Sequence, residues 1–285
     1  MEEVLSRLKA LLGALPPHLR RAAGRVLDRP QDVAVTSMRA LAASAGVSPP
    51  TMLRLARRAG FASYESFRAV FRTAVTGGGF RGKAASLQRL GEHGGDGGIV
   101  GRMGQAARDN IGVCFGEAGG ADIVRAAELL RQARRTYVLG VGALHWMSCY
   151  VQYLGRTVLP ALSVPPASRG SAVEEMVGLG AGDVVLILSV VPYAVQMLKA
   201  AAFARASGAS VIAVSDSRGA PLAALSDVLL VAGTASPQFY PSMVGIVAIV
   251  ETLIALVVSR GEEATLARIA AIDRHRRAEG GYLES

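Results

Sequence analysis

Apolar residues in the first quarter of the chain recur at spacings of three and four. Val4, Leu5, Leu8, Leu11 and Leu12 line one side of a first predicted helix. Pro16 and Pro17 open a second, which carries Leu19, Ala22, Ala23, Val26 and Leu27; proline suits a first helical turn because that N–H has no partner there. Ser37 then reads as the cap of a short helix with Met38, Leu41 and Ala42 inward. Gly46 supplies a turn, Val47 plugs the angle, and Ser48 with Pro49 starts the next helix. In that helix Met52, Leu55, Ala56 and Ala59 form an inward stripe, while Thr51, Arg54 and Arg58 fall on the other side with Arg57 beside them. Two capped helices around a glycine turn are the sequence form of a helix-turn-helix. On this reading Ser48, Thr51, Arg54, Arg57 and Arg58 face double-stranded DNA, and Arg54 either pairs with a guanine or clamps a phosphate.

From about Ile99 the pattern changes to helix and strand in alternation. Strands are predicted at 135–141, 157–162, 183–190, 210–215 and 227–231, with Ala-rich helices such as 194–207 between them. Runs of Val, Ile and Leu with almost no polar alternation are buried on both faces, which predicts a five-stranded parallel sheet in a three-layer α/β domain. A ligand site is expected outside the carboxyl ends of those strands.

The chain has 285 residues, 51% of them hydrophobic and 19% charged, which excludes a disordered protein. The net charge of +9 is concentrated: residues 1–77 hold 12 basic against 5 acidic side chains, and residues 78–285 hold 19 against 17. A basic module followed by a near-neutral one points to a polyanion partner for the first only. Nine of the 22 residues from Gly77 to Gly98 are glycine, a composition that predicts a flexible linker with one short helix around Ala84–Leu90. The expected division is therefore a helix-turn-helix domain at 1–77, a linker at 78–98 and an α/β domain at 99–285.

Cys114 and Cys149 are too few for a disulfide framework or a cysteine zinc site, and are expected as free thiols in a reducing cytoplasm. The four histidines show no metal-ligand spacing, so neither a metal nor another cofactor is expected. The longest apolar stretch, Ile246–Val258, contains 13 residues against the roughly 20 that a bilayer requires, which predicts a buried helix away from any membrane.

The segment VSPPTMLRLARRAGFASYESFR, with Leu41-Ala42, Gly46-Val47-Ser48, Thr51, Arg54, Gly60-Phe61, Tyr64, Phe67 and Arg68, resembles the N-terminal helix-turn-helix of RpiR/MurR-type bacterial transcription regulators. Farther on, YVLGVGA, GAGDVVLILS and ASGASVIAVSDSRGAPLAALSDVLLVA are similar to the SIS (sugar isomerase) domain of the same family. The resemblance implies a SIS domain whose bound phosphosugar alters operator affinity.

The chain departs from the family pattern at two loops. Gly140-Val141-Gly142-Ala143-Leu144 ends in leucine where the family has serine, and Ser189-Val190-Val191-Pro192-Tyr193 keeps only the first hydroxyl of its loop. A phosphate cradle needs hydroxyls and free N–H groups converging on one anion, and Leu144, Val191 and Pro192 remove them. The candidate effector pocket is Gly142, Ala143, Leu144, His145, Ser168, Arg169, Ser189, Val191 and Tyr193. Its walls are aromatic, with help from Trp146, Phe239 and Tyr240, and Arg169 is the anion anchor. The expected effector is a small metabolite, a sugar derivative less phosphorylated or more apolar than is usual for the family.

These readings describe a DNA-binding regulator acting as a homodimer or homotetramer on an inverted repeat, paired through the helix near His145 and the apolar helix at 245–258. One alternative is a sugar-phosphate isomerase using Glu174 or Glu175 as base. Another is a DNA-binding protein whose SIS domain only dimerises.

Overall fold

The computed structural model describes residues 1–75, 79–159, 161–166 and 171–279. The chain forms two compact units: Met1–Met103 with Gly219–Pro221 and Pro237–Tyr240, and Gly104–Arg218 with Leu222–Ser236 and the chain from Pro241 onward.

The first unit contains α1 (Glu2–Leu11), α2 (Pro17–Asp28), α3 (Pro30–Val35), α4 (Met38–Ser44), α5 (Pro49–Arg58) and α6 (Tyr64–Val75). Its core joins Leu8, Leu19, Val26 and Leu41 to Met52, Leu55, Phe67 and Phe71, all essentially inaccessible to solvent. The helical periodicity of the sequence therefore maps onto real burial. Ser37 caps α4, its hydroxyl accepting from the Ala40 amide at 3.2 Å, and Gly46 turns the chain at φ 61°, a backbone state that side chains with a Cβ disfavour.

The short helix expected at 84–90 is present, but helix extends well beyond it into the stretch expected as flexible linker. α7 (Gly79–Cys114) is helical on both sides of Gly95, where φ 57° and ψ −172° break the helix. Glycine costs a helix only about 1 kcal/mol per residue, which local packing readily offsets. The Ile99 Cδ1 lies 3.5 Å from where a Gly91 Cβ would stand, so the chain after the break packs on the helix before it.

The second unit adds α8 (Glu117–Gln132), β1 (Arg135–Leu139), α9 (Ala143–Gly155), β2 (Leu162–Ser163), α10 (Ala172–Glu175), β3 (Asp183–Leu188), α11 (Val195–Ala206), β4 (Ser210–Ser215), β5 (Val228–Val231), α12 (Val244–Ser259) and α13 (Glu263–Ala278). The five strands are parallel in the order β2-β1-β3-β4-β5, in registers such as Val138↔Leu186 and Leu186↔Ile212. β2 is shorter and later than the segment 157–162 that the sequence predicts, because Val158 and Leu159 pack into the core from a turn after α9. Alternate strand residues separate the two cores. Val138, Leu186, Ile212 and Val214 face α8, α9 and α12, while Leu139, Val185, Ile187 and Val211 face α11.

Two further contacts fix this unit. Asp183, fully buried at the start of β3, accepts from Arg134 at 2.8 and 3.0 Å, from Arg135 at 2.8 and 3.3 Å, and from the Gly180 amide at 3.0 Å. Burial alone would raise its pKa, but these donors outweigh it and hold the carboxyl at about 2. At the other edge Cys114, 1% exposed, donates to the Asn110 and Gly245 carbonyls at 3.2 and 3.4 Å, and burial raises the pKa of its thiol.

Candidate functional site

α5 is the second helix of the helix-turn-helix, and its two sides differ sharply. Met52, Leu55 and Ala56 are fully buried, while Arg54, Arg57 and Arg58 are exposed and carry no carboxylate partner among the described residues. At 100° per residue the three arginines span an arc of about 100°. That is a cationic stripe of the kind that enters a groove. One of the five expected contact residues needs correction as an outward side chain, and another differs in its capping role. Thr51 is only 3% exposed, and its hydroxyl lies 3.0 Å from that of Ser48, so it belongs to the helix start and not to the outward face. Ser48 occupies the cap position of α5 but bonds Thr51 and no backbone amide.

The carboxyl edge of the sheet is built from the loops after β1, β3 and β4. Gly140 lets the first strand approach α9: a Cβ there would stand 2.3 Å from the Leu144 carbonyl oxygen. Gly142, at φ 60°, is the cap residue of α9, with Ala143 exposed beside it. Leu144, expected in the pocket wall, instead packs into the core beneath α9. Its substitution for a hydroxyl residue therefore serves packing. His145 is half-buried with Nε2 3.7 Å from the Cys149 Sγ, and the neighbouring Trp146 is 75% exposed.

In the second loop, Ser189 is buried, its amide in the ladder to Val214 and its carbonyl accepting from the Ser215 hydroxyl at 2.7 Å. Val191 is half-buried. The Tyr193 hydroxyl donates to Asp216 Oδ1 at 2.9 Å, and the Ser215 hydroxyl reaches the same oxygen at 3.3 Å. Burial raises the Asp216 pKa, opposed by hydrogen bonds from Tyr193, its own amide, Ser215 and the Val191 backbone. Sequence reasoning missed this residue, although an acid directly after the last residue of a buried strand was a visible signal. Ser168 and Arg169 lie outside the described residues. Phe239 and Tyr240 group with the first unit, not with these loops.

Glu174, the alternative catalytic base, accepts from the Ser171 amide at 3.0 Å and completes a capping box with the Ser171 hydroxyl. Among the described residues no group of three His, Cys, Asp or Glu side chains converges as a metal site, and no single helix is long and apolar enough to cross a membrane.

Residues 129–259 match the SIS domain family. Over 232 residues the chain is 26% identical to the HTH-type transcriptional regulator HexR of Pseudomonas aeruginosa, covering 81% of this chain and 79% of that one. It is 27% identical over 232 residues to the bifunctional protein glk of Paraburkholderia xenovorans, covering 80% of this chain but only 35% of that relative. Among solved structures, the sugar isomerase domain of an RpiR transcription factor from Sphaerobacter thermophilus superposes with a TM-score of 0.58 at 23% identity, over 62% of this chain and 98% of that one. NanR of Vibrio vulnificus, solved with ManNAc-6P, has a TM-score of 0.58 at 19% identity over 96% of this chain and 98% of its own.

The second unit is thus built on a SIS domain, preceded by a helix-turn-helix. This order of parts, a helix-turn-helix followed by a SIS domain, makes the chain similar to transcriptional regulators of the RpiR type.

Proposed function

We propose that α5 reads an operator in double-stranded DNA and that a small sugar-derived effector, held at the carboxyl edge of the sheet, changes operator affinity. The observation that carries the first half is the stripe of Arg54, Arg57 and Arg58, exposed and without carboxylate partners among the described residues, on the second helix of a helix-turn-helix. Arg54 stands in the middle of α5 and is the base-reading residue; Arg57 and Arg58, in its last turn, are the phosphate clamps.

The effector site comprises Gly142, Ala143, His145, Val191 and Tyr193 with Asp216 added; Ser168 and Arg169, expected from the sequence to contact the effector, lie outside the described residues. Asp216 changes the ligand chemistry. Its carboxylate already takes the Tyr193 hydroxyl and the Val191 backbone, so a phosphate placed there meets a like charge and occupied donors. Sugar hydroxyls can donate to the Asp216 carboxylate and to the Tyr193 oxygen, which favours an unphosphorylated polyol or a sugar whose anionic group lies away from this corner. NanR, the relative solved with ManNAc-6P, shares the fold at 19% identity.

The chain works as a regulator and not as an isomerase on this reading: Glu174, a base that the isomerase alternative would use, is held in the capping box of α10. Two copies pair through the outward face of α9, where Trp146 and Tyr153 are exposed one above the other at a spacing of seven. The apolar helix expected to share this seam contributes less, because Ile246, Ile249, Val250, Leu253 and Val257 of α12 are already buried in their own core. A pair of α5 helices meets an inverted repeat, in the cytoplasm where the operator is.

The test is fluorescence anisotropy of the full chain on selected operator DNA, with and without sugars. Arg54→Ala should lose about 1–3 kcal/mol of operator binding. Sequence-independent binding with no response to any sugar would overturn the reading.

A further inference from the structure

The amino-terminal edge of the sheet carries a cavity that the regulator reading does not use. It encloses about 290 Å³ between the last turn of α8, the residues entering β1, the end of α12 and the first turns of α13. Four guanidinium groups line it, from Arg131, Arg134, Arg260 and Arg268, against the single carboxylate of Glu262.

Three of these arginines are committed elsewhere in part. Arg131 bonds Glu128 at 2.6 Å and feels Glu262, Arg260 lies 3.8 Å from the same Glu128, and Arg134 holds Asp183 at 2.8 Å. Arg268 is different. It is half-buried and has no carboxylate partner among the described residues. Two neutral oxygens fix it instead, the Thr157 carbonyl at 3.1 Å from Nε and the Thr265 hydroxyl at 3.3 Å from Nη2. A guanidinium has five N–H donors, so Arg268 is oriented while most of its donors stay unfilled.

Like charges held together around a cavity repel, and an anion between them relieves that cost. Arginine's planar fork matches the oxygens of a phosphate in pairs. The volume equals about ten water molecules at roughly 30 Å³ each, too small for a nucleic acid strand and adequate for a metabolite. We infer that this cavity binds a small phosphorylated metabolite, with Arg268 as the oriented anchor and Arg131, Arg134 and Arg260 closing around it. The site is separate from the effector corner: β1 begins at Arg135, between the cavity-lining Arg134 and Thr136, and ends at Leu139 at the other edge, about 13 Å away at 3.3 Å per residue.

Isothermal titration of the full chain tests this with inorganic pyrophosphate as probe, and with citrate and ribose as comparisons. One saturable pyrophosphate site per chain is expected. It should weaken at least tenfold in Arg268→Gln and in Ala264→Glu, and hold in Arg54→Ala and Tyr193→Phe. Ala264 lines the cavity on the exposed first turn of α13, where glutamate suits the helix start, so this variant keeps the test valid if loss of the Thr157 contact unfolds Arg268→Gln. Absence of saturable binding, unchanged binding in a folded cavity variant, or loss in Tyr193→Phe would overturn the site. Citrate binding tighter than pyrophosphate would overturn the phosphate assignment.

Discussion

The Tyr193 hydroxyl donates to the Asp216 carboxylate across 2.9 Å, tying the loop after β3 to the residue that follows β4. This pair occupies the corner where the family resemblance leads one to expect a phosphate cradle, and it replaces anion donors by an anion. Tyr193→Phe should therefore weaken the effector's influence on operator binding while leaving binding of the unliganded protein unchanged, as read by anisotropy with and without the sugar.

Asp216 also makes a prediction about pH. Its folded pKa is raised, so the folded protein binds a proton more tightly than the unfolded chain does. As pH rises from the ordinary value of 3.8 through the higher folded value, that advantage is lost and the charged carboxylate counts against folding. Asp216→Asn keeps an oxygen acceptor without the charge. Thermal melts should show this variant gaining on the wild-type chain as pH climbs through that window.

Asp183 behaves in the opposite sense. Its pKa of about 2 lies below the ordinary 3.8, so its contribution is complete above 3.8 and is lost as pH falls toward 2. Asp183→Asn leaves Arg134 and Arg135 without their charge partner and should cost about 3 kcal/mol at neutral pH. A lowered urea midpoint with unchanged slope would report this. The difference from wild type should shrink in acid.

Two glycines in helices should respond oppositely to alanine. A Cβ on Gly245 would stand 2.7 Å from the Gly233 carbonyl and 3.1 Å from the Cys114 sulfur, so Gly245→Ala should destabilise by about 1–3 kcal/mol. Gly120, within α8, has nothing within 4 Å, and Gly120→Ala should stabilise by up to about 1 kcal/mol. Calorimetric melting of both variants checks the pair.

Burial separates the roles of Thr51 and Arg54. Thr51→Val removes a hydroxyl bonded to Ser48 and should lower the melting temperature with little change in the salt dependence of DNA binding. Replacing Arg54, Arg57 and Arg58 together should flatten that dependence by up to about three counterions, with the melting temperature nearly unchanged.

The helices of the first unit and four of the five strands could be read from the sequence because burial there follows simple periods. Leu41, Met52 and Leu55 recur on one face, and β3 is apolar throughout because helices cover both of its sides. Three features escaped for physical reasons. Outside the short helix expected at 84–90, the glycine run is helical where side chains such as Ile99 pack against Gly91, a contact that composition alone does not encode. Thr51 has a polar type that reads as outward, yet its hydroxyl is satisfied locally, so it can be buried. Leu144 follows the Gly142 turn at a position where the family resemblance places a ligand hydroxyl, but one helical step turns its side chain under α9. Tyr193 was legible as a site residue from its loop. Asp216 carried a signal, an acid directly after a buried strand, but its pairing with an aromatic hydroxyl 23 positions earlier is written in no local pattern.

The two cysteines differ in access: Cys149 is half-buried in the middle of α9, whereas Cys114, the last residue of α7, is sealed against the start of α12. Alkylation needs both a thiolate and a path for the reagent. Cys149 should therefore label while the fold is intact, and Cys114 only when α7 parts from Gly245. The lag between the two labelling events gives the unsubstituted chain its own stopwatch for the opening of the second unit.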